Sequence, residues 1–243
     1  NTTQTLELVR TLKVLRPELI IALGGPEISY ETEGQDLTAC ADFVFQGEAD
    51  FSFRDFAAAF LERGALPAQK IVKPSLPEIR EVVMPYAEYS KEDIAHRTLY
   101  VEASRGCPYK CEYCLSSLDV SVRSFALEKF LTEMDGLIAR GARQFKFVDR
   151  TFNLSPSISR SILEFFLKRI ELGLFLHFEM VPDRLPDDLK VLIQKFPPGS
   201  LQFEIGVQTW NPVVGRNVSR RQNYAKIEEN FRFLRHETGV HTH

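Results

Sequence analysis

The sequence has few cysteines, a single tryptophan and no long apolar run. Four cysteines among 243 residues are too few for a disulfide scaffold. No stretch approaches the roughly 18 consecutive apolar residues that a membrane span needs, which predicts a soluble protein with no membrane partner. Residues 1–15 have neither a basic start nor a continuous apolar stretch, so no secretory signal is predicted and the expected location is the cytoplasm.

An excess of one charge sign is also absent. Thirty Lys and Arg residues against thirty-three Asp and Glu residues give a net charge of −3. No global surplus of positive charge therefore predicts a nucleic-acid partner. Hydrophobic residues make up 44% of the chain and charged residues 26%, which is a globular composition and excludes the disordered class.

What the chain does contain is an alternation of short apolar runs with amphipathic segments, which is typical of an α/β protein. Near the start, apolar runs at 19–23 and 43–46 predict buried strands, and a helix is predicted over 30–38. Prolines interrupt every period between 65 and 89. We therefore predict a first domain over residues 1–64, a linker over 65–97 and a second domain over 98–243.

The second domain repeats a strand-then-helix pattern four times and begins a fifth. The predicted strands are 99–103, 145–148, 174–180, 201–207 and one that opens at Val240. This order predicts parallel strands that curve into part of a barrel. Parallel sheets rarely leave the edge of a fifth strand unpaired, and an α/β unit that begins with a helix lacks the strand that should precede it. We therefore expect a fragment of a longer protein.

Three cysteines lie within eight positions directly after the first of these strands. Cys107, Cys111 and Cys114 have the spacing C-x3-C-x2-C, at the end of the strand where βα-barrel enzymes keep their active sites. A structural zinc site needs four ligands, and no fourth Cys or His has a suitable local spacing. An iron-sulfur cluster held by three cysteines leaves one iron open for a ligand, so a cluster is favoured. A non-catalytic zinc or iron-sulfur module is the alternative, and Cys40 is predicted to be a small buried residue.

The residues from Arg105 to Cys114 read Arg-Gly-Cys-Pro-Tyr-Lys-Cys-Glu-Tyr-Cys. With Tyr113 just before the last cysteine, this motif resembles the radical S-adenosylmethionine (SAM) superfamily. The resemblance implies that the three cysteines bind a 4Fe-4S cluster whose open iron chelates the amino and carboxylate groups of SAM. It implies an enzyme that cleaves SAM reductively to a 5′-deoxyadenosyl radical, acts on an unidentified substrate and receives electrons from a one-electron reductant such as flavodoxin or ferredoxin.

Residues further along the chain extend the resemblance. Residues 204–209 read Glu-Ile-Gly-Val-Gln-Thr and 220–222 read Arg-Arg-Gln, which resembles the branch with oxygen-independent coproporphyrinogen oxidases and many cobalamin-linked enzymes. The frequent Gly-Gly-Glu after the second strand is absent. The implied SAM-binding residues are Tyr113, Asp149, Glu179, Gln208 and Arg220.

Two further polar residues lie inside predicted barrel strands. Glu204 alternates along its strand with Gln202 and Gly206, which predicts a side chain that points into the barrel as a partner for Arg or Lys. His177 is predicted to be a hydrogen-bonded histidine of the core or barrel interior rather than a metal ligand.

The first domain carries a resemblance of its own. Leu23-Gly24-Gly25-Pro26-Glu27, followed by residues 41–48, resembles the second half of the cobalamin-binding domain that precedes the barrel in a large radical SAM branch. The resemblance implies that Gly24 and Gly25 pass close to the nucleotide tail of cobalamin, with a simple tight turn as the alternative. With cobalamin, the reaction would be methyl transfer. The Asp-x-His-x-x-Gly loop of such domains is not in this chain.

The expected fold is thus a partial (β/α) radical-SAM-type barrel preceded by part of a Rossmann-like, cobalamin-binding-type α/β unit. A methylthiotransferase that acts on RNA is disfavoured, because the first half shows no second cysteine trio and the net charge is negative.

Overall fold

The computed structural model describes residues 1–118 and 121–243. The chain forms two compact units, unit 1 from Asn1 to Val82 and unit 2 from Val83 to His243. Both units contain parallel sheets with helices in the connections, so the predicted α/β fold is confirmed.

Unit 1 is built around a parallel sheet in the order β1-β2-β3. Its strands are β1 (Ala22–Gly24), β2 (Phe43–Phe45) and β3 (Ile71–Val72), and its α-helices are α1 (Thr2–Leu15), α2 (Asp36–Cys40) and α3 (Asp50–Arg63). Val44 of β2 packs with Ile28, Leu37 and Ala41 in a buried cluster. This cluster is the core of the unit.

The helix predicted over 30–38 is wrong for its first half. Glu31 and Gly34 both have a positive φ, 49° and 78°, and this left-handed backbone prevents a right-handed helix from forming. The side chain of Gln35 donates to the carbonyls of Glu27 and Tyr30 instead. Helix α2 therefore starts only at Asp36. Cys40, at its end, is half-buried rather than buried.

Residues 65–97, which the prolines marked as a linker, contain regular structure. β3 pairs with β2, and the backbone N–H of Gln46 donates to the carbonyl of Val72 at 3.0 Å. A helix covers Lys91–His96. Ser90 is its N-cap residue, and the side chain and backbone of Ser90 form a capping box with Asp93. A two-residue strand and a six-residue helix are too short to show a hydrophobic period, which is why the composition alone suggested a connection.

Unit 2 contains a parallel sheet in the order β10-β9-β8-β7-β4, together with a short antiparallel hairpin β5-β6. Its strands are β4 (Leu99–Val101), β5 (Ser104–Arg105), β6 (Arg123–Ser124), β7 (Gln144–Phe147), β8 (Phe175–Met180), β9 (Leu201–Ile205) and β10 (His241–Thr242). Its α-helices are α4 (Lys91–His96), α5 (Leu127–Ala139), α6 (Pro156–Leu167), α7 (Asp187–Ile193), α8 (Pro212–Asn217) and α9 (Tyr224–Glu237). Sequential parallel strands linked by helices are the connectivity of a βα barrel.

The two faces of this sheet differ in polarity. Phe145, Phe147 and Phe178 are fully buried, and the first two contact Phe166 of α6 with ring centroids 5.4 and 6.0 Å apart. Because side chains alternate along a strand, the opposite face carries the intervening residues. These are Lys146 of β7, His177 and Glu179 of β8, and Gln202 and Glu204 of β9. The inner face of the partial barrel is therefore polar, whereas closed βα barrels fill theirs with apolar side chains.

The outer edge of β4 is covered by two tyrosine hydroxyls. The Tyr86 hydroxyl accepts from the N–H of Glu102 at 2.8 Å and donates to the same residue's carbonyl at 3.3 Å. The Tyr89 hydroxyl does the same for Tyr100, at 3.1 and 2.8 Å. Arg140 at the end of α5 donates to the carbonyls of both tyrosines. The edge of this strand is thus hydrogen-bonded without another strand.

Candidate functional site

The carboxyl ends of the parallel strands in unit 2 surround a cavity of about 280 Å³. Residues that follow β7, β8, β9 and β10 line it, together with the loop between β5 and β6. This is the end of a βα barrel at which active sites lie. Cys107, Cys111 and Cys114 all contribute to the lining, so the structure places the predicted cysteine trio in one cavity.

The cysteine loop is held at both ends. Ser104 and Arg105 of β5 pair with Ser124 and Arg123 of β6, so the hairpin closes the base of the loop. Gly106 has a φ of 94°, a backbone conformation that side chains with a Cβ rarely adopt. The glycine of the Arg-Gly-Cys-Pro motif therefore makes the turn from the strand into the loop.

Within the loop the three thiols differ in exposure. Cys111 is buried, Cys107 is half-buried and Cys114 is exposed, and all are free thiols. The N–H of Cys114 donates to the carbonyl of Cys111 at 3.0 Å, and the N–H of Glu112 donates to Val218 at 3.2 Å. Burial raises the pKa of the Cys107 thiol. The loop thus has a fixed backbone with thiols directed at the cavity.

A zinc ion and a cluster make different demands on three thiols. A zinc ion needs its sulfur ligands about 2.3 Å from a common point. A 4Fe-4S cluster takes its cysteines on different iron atoms, so three thiols that line one cavity can bind it. Among the residues that the structure describes, no three His, Cys, Asp or Glu side chains are placed to hold one metal ion.

Arg220 forms part of the wall beside the buried cysteine. Its Nη1 donates to the Sγ of Cys111 at 3.7 Å, and its Nη2 donates to the carbonyl of Gly206 at 2.8 Å. Its guanidinium also lies 5.7 Å from the ring centroid of Tyr109. The Nε atom is buried and has no hydrogen-bond partner within the described ranges.

Glu179 and Gln208 line the same cavity. Burial raises the pKa of Glu179, while Arg150, whose Nη1 lies 3.7 Å from its Oε2, opposes the shift. Gln208 has a φ of 68°, and its amide nitrogen lies only 2.5 Å from where a Cβ on Gly206 would be. The glycine of the Gly-Val-Gln motif therefore makes room for the glutamine side chain.

Tyr113 also lines the cavity and is half-exposed, and burial raises its pKa to about 12. Asp149 is different. Its carboxylate is buried and accepts hydrogen bonds from the N–H of Ala103 at 3.0 Å and the hydroxyl of Ser104 at 2.6 Å. It is not among the residues that line the cavity; the next two residues, Arg150 and Thr151, are. Asp149 joins the ends of β4 and β7.

Glu204 faces the polar interior and pairs with a lysine, as its alternation predicted. Its Oε2 lies 3.5 Å from the Nζ of Lys146 and 3.3 Å from the Nε2 of His177. Burial and the neighbouring lysine lower the pKa of His177, and the carboxylate of Glu204 opposes this. Nε2 of His177 is buried and makes no aligned hydrogen bond in the described part of the chain, and the carboxylate of Glu204 is the acidic group with which it pairs.

Sequence reasoning missed Tyr109, which lies between the first two cysteines and lines the cavity. It is a loop residue, and hydrophobic periodicity does not predict the direction of a loop side chain. Lys146, the partner of Glu204, is not a lining residue, but it could have been found, because it alternates with Phe145 and Phe147 along β7 in the same way that Glu204 does along β9.

In unit 1 the glycine pair follows β1. Gly25 has a φ of 112°, and a Cβ there would meet no atom within 4 Å. The hydroxyl of Ser29 donates to the carbonyl of Gly25 at 2.7 Å and accepts from the N–H of Gly47 at 3.0 Å. These bonds join the turns that follow β1 and β2, which is compatible with the tight-turn alternative. The space that a Cβ of Gly25 would occupy remains open.

A pocket of about 640 Å³ lies at this carboxyl edge of the unit 1 sheet, where open α/β sheets bind ligands. Gln46 and Lys73, which follow β2 and β3, line it together with residues 29–33. The glycine pair is not among the lining residues described. The lining is polar and carries the charges of Glu31, Glu33 and Lys73.

No helix in the described residues has both the length and the apolar character needed to cross a membrane.

Comparisons with known proteins give several relatives that match a little over half of the chain. An uncharacterized methyltransferase of Pyrococcus horikoshii is 24% identical over 170 residues, which is 59% of this chain and 36% of that protein. The ribosomal protein uS12 methylthiotransferase RimO of Geobacter sulfurreducens is 28% identical, over 58% of this chain and 33% of that protein. An uncharacterized methyltransferase of a Synechocystis species is 33% identical, over 55% and 25%. The aligned segments thus span about a third or less of these relatives.

Solved structures match nearly the whole chain. The radical SAM methyltransferase TsrM from Kitasatospora setae, with cobalamin and a [4Fe-4S] cluster bound, has a TM-score of 0.73 at 14% identity, covering 99% of this chain and 52% of that one. The cobalamin-dependent SAM radical enzyme OxsB has a TM-score of 0.71 at 15% identity, covering 99% and 38%. At these identities the likeness shows the fold, and both units are part of it.

The sequence model of the Radical SAM superfamily matches residues 101–242. This segment contains the three cysteines, Glu179, Gln208 and Arg220, and membership implies a 4Fe-4S cluster and SAM as cofactors. Since the match covers more than half of the chain, the protein belongs to the Radical SAM superfamily, with the fold of its cobalamin-dependent members.

Proposed function

We propose that the protein is a radical SAM enzyme whose Cys107, Cys111 and Cys114 hold a 4Fe-4S cluster in the cavity of unit 2. The observation that carries the proposal is that three free thiols and Arg220 line one cavity at the carboxyl ends of the barrel strands, where Arg220 also contacts the Sγ of Cys111. When bound and reduced, such a cluster supplies the electron that cleaves the sulfonium of SAM.

The side chains around the thiols suit the polar groups of SAM. Arg220 lines the cavity, and a guanidinium can hold a carboxylate with a two-pronged contact. Glu179 and Gln208 can hydrogen-bond ribose hydroxyls, and Tyr113 lies beside the last cysteine. Asp149 has both carboxylate oxygens engaged by Ala103 and Ser104, so we propose that it supports the site through the backbone and does not contact SAM.

We propose that the reaction is methyl transfer and that cobalamin takes part. Support comes from the fold shared with TsrM and OxsB, from the two relatives named as methyltransferases, and from the open pocket of unit 1. Gly24 and Gly25 are the proposed approach for the nucleotide tail of cobalamin. The substrate is unidentified, the proposed electron donor is flavodoxin or ferredoxin, and the proposed location is the cytoplasm.

Anaerobic reconstitution tests the cluster directly. The wild-type protein should bind about four iron atoms per chain and, with a reductant, convert SAM to 5′-deoxyadenosine or to S-adenosylhomocysteine. Cys111→Ala should lose the cluster and both products. Cys114→Ala should do the same, and because Cys114 is exposed its circular dichroism spectrum should remain that of the wild type.

Cys40→Ala is the matched control, since Cys40 lies in unit 1 and should be dispensable for iron binding. Stoichiometric zinc without visible absorption would instead support the structural-module alternative. SAM cleavage that survives in Cys111→Ala would contradict the proposal.

A further inference from the structure

Arg220 contacts a cysteine sulfur as well as the cavity. Its Nη1 lies 3.7 Å from the Sγ of Cys111, the buried member of the cysteine trio. This distance is within the range of an N–H···S hydrogen bond, in which sulfur is a weak acceptor when neutral. A thiolate is a much stronger acceptor, since hydrogen bonds to ionised groups are about twice as strong as neutral ones.

The guanidinium is held in this position without any ligand. Nη2 donates to the carbonyl of Gly206 at 2.8 Å, and the backbone N–H of Arg220 donates to the carbonyl of Gly215 at 2.8 Å. A Cβ at Gly215 would lie 3.0 Å from the carbonyl oxygen of Arg220, so a glycine lets the backbone approach that closely. The ring of Tyr109 covers the guanidinium at 5.7 Å.

A fixed positive charge on a cluster ligand acts on the electron affinity of the cluster. Reduction adds one negative charge that is shared between the irons and the sulfurs. A hydrogen bond and a positive charge at a cysteine sulfur stabilise the reduced form more than the oxidised form, which raises the reduction potential. The effect is strongest where water is excluded, and Cys111 is the buried thiol of the three.

We propose that Arg220 sets the reduction potential of the cluster through its hydrogen bond to the sulfur of Cys111, in addition to any contact with SAM. The inference rests on the proposed function, because it requires the three cysteines to be the cluster ligands. One electron enters the cluster from the one-electron reductant and no covalent bond changes. Tyr109 acts as a positioning residue that keeps Arg220 beside the sulfur.

Arg184 provides a matched control. Its guanidinium also lies near the ring of Tyr109, at 5.9 Å, so Arg184 and Arg220 share the same aromatic neighbour. Arg184 is exposed, and no contact with a cysteine sulfur is recorded for it within the described residues. Arg184→Gln therefore removes the same charge from the same neighbourhood and leaves the hydrogen bond to Cys111 in place.

The experiment is a redox titration of the anaerobically reconstituted protein, followed by electron paramagnetic resonance in the absence of SAM. Without SAM, loss of a carboxylate contact cannot affect the result. The midpoint potential of Arg220→Gln should be lower than that of the wild type, and that of Arg184→Gln should be unchanged. Arg220→Lys should also be lower, because a hydrated ammonium on a flexible stem does not keep the donor on the sulfur.

An unchanged midpoint in Arg220→Gln would overturn the inference, and so would an equal shift in Arg184→Gln, since that would indicate general charge rather than the hydrogen bond. If Arg220→Gln does not retain its cluster, Arg220→Lys decides in the same way. A wild-type protein that binds no cluster would contradict the proposed function itself, so the two failures are distinguishable.

Discussion

At the scale of single residues, Asp149 has an unusual environment for a carboxylate. It is 3% exposed, and burial raises its pKa from 3.8 to about 6, although the donors Ser104 and Ala103 favour the charged form. Its folded pKa is therefore above its unfolded pKa. Between those two values the folded state binds more protons than the unfolded state, so this residue's contribution to stability falls as pH rises.

This predicts a pH dependence that a neutral substitution removes. As pH rises from about 4 to about 6, the free energy of unfolding of the wild type should fall relative to that of Asp149→Asn by up to about 3 kcal/mol. Well above the folded pKa, from about pH 7 upwards, the difference should be constant. Urea denaturation of the cluster-free, thiol-reduced protein at several pH values measures it.

Asp187→Asn is the control, because the Asp187 side chain is 97% exposed. It removes one carboxyl group at the surface instead of in the interior. A difference between Asp149→Asn and the wild type that does not change with pH would contradict the raised pKa of Asp149.

The placement of site residues shows how far sequence reasoning reaches at this scale. Residues that follow parallel strands meet at one edge of a sheet, so the cysteines, Glu179 and Gln208 could be brought together from the sequence. The sequence could not predict the direction in which a side chain points after its strand ends. Asp149 follows β7 as predicted, but its carboxylate turns towards Ala103 and Ser104, which each donate a hydrogen bond to it.

At the scale of elements, the outer edge of β4 depends on two tyrosines. Tyr86 is buried and satisfies both backbone groups of Glu102, whereas Tyr89 is only half-buried and does the same for Tyr100. Unpaired backbone groups cost most where water cannot replace the lost partner. The two hydroxyls should therefore differ in their contribution to stability.

Tyr86→Phe should lower the free energy of unfolding by about 1–3 kcal/mol, and Tyr89→Phe by about 0.5–1.5 kcal/mol. Native-state hydrogen exchange should show faster exchange of the amide of Glu102 in the first variant and of Tyr100 in the second. Tyr100→Phe, whose side chain is exposed, should change neither stability nor exchange. If the amide of Glu102 stays protected in Tyr86→Phe, the hydroxyl is not its partner.

The sequence located most elements of unit 2, because strands such as β8 and β9 and helices such as α5 are long enough to show a period. The strands were placed within a few residues of their observed bounds. The hairpin β5-β6 and the strand β3 were missed, since two residues have no period. The tyrosine cover of β4 was missed because it depends on side chains from a segment that the prolines marked as a connection.

At the scale of the whole molecule, each unit has a core of its own. In unit 2 the core is a set of phenylalanines around Phe178, whose ring centroid lies 4.3 Å from that of Phe147 and 3.9 Å from that of Phe152. Phe203 of β9 adds a third neighbour at 6.2 Å. These contacts connect β7, β8 and β9, which carry the cavity at their carboxyl ends.

Phe178→Ala should lower the free energy of unfolding of unit 2 by about 3–5 kcal/mol, because it leaves a large void in a close-packed core. Trp210 is the single tryptophan and lies in unit 2, so its fluorescence during urea denaturation reports on this unit. Val191→Ala, at a position 55% exposed, should leave the midpoint nearly unchanged. A similar midpoint for both variants would mean that Phe178 is not central to the core.

The alternation of apolar runs and the cysteine spacing were sufficient to predict the α/β class and the superfamily. Both depend on local patterns of neighbouring residues. The substrate does not follow from such patterns, since it depends on particular side chains around the cavity, and the chain spans only 38–52% of the TsrM and OxsB chains.

The left-handed backbone of Gln208 has a consequence for engineering this protein. Glycine would adopt a φ of 68° without strain, whereas a residue with a side chain is held there at a cost of order 1 kcal/mol. A stability-guided redesign would therefore select glycine at position 208. That substitution would raise the free energy of unfolding, but it would also remove an amide that lines the cavity. At position 208, stability and the proposed contact with SAM therefore favour different residues.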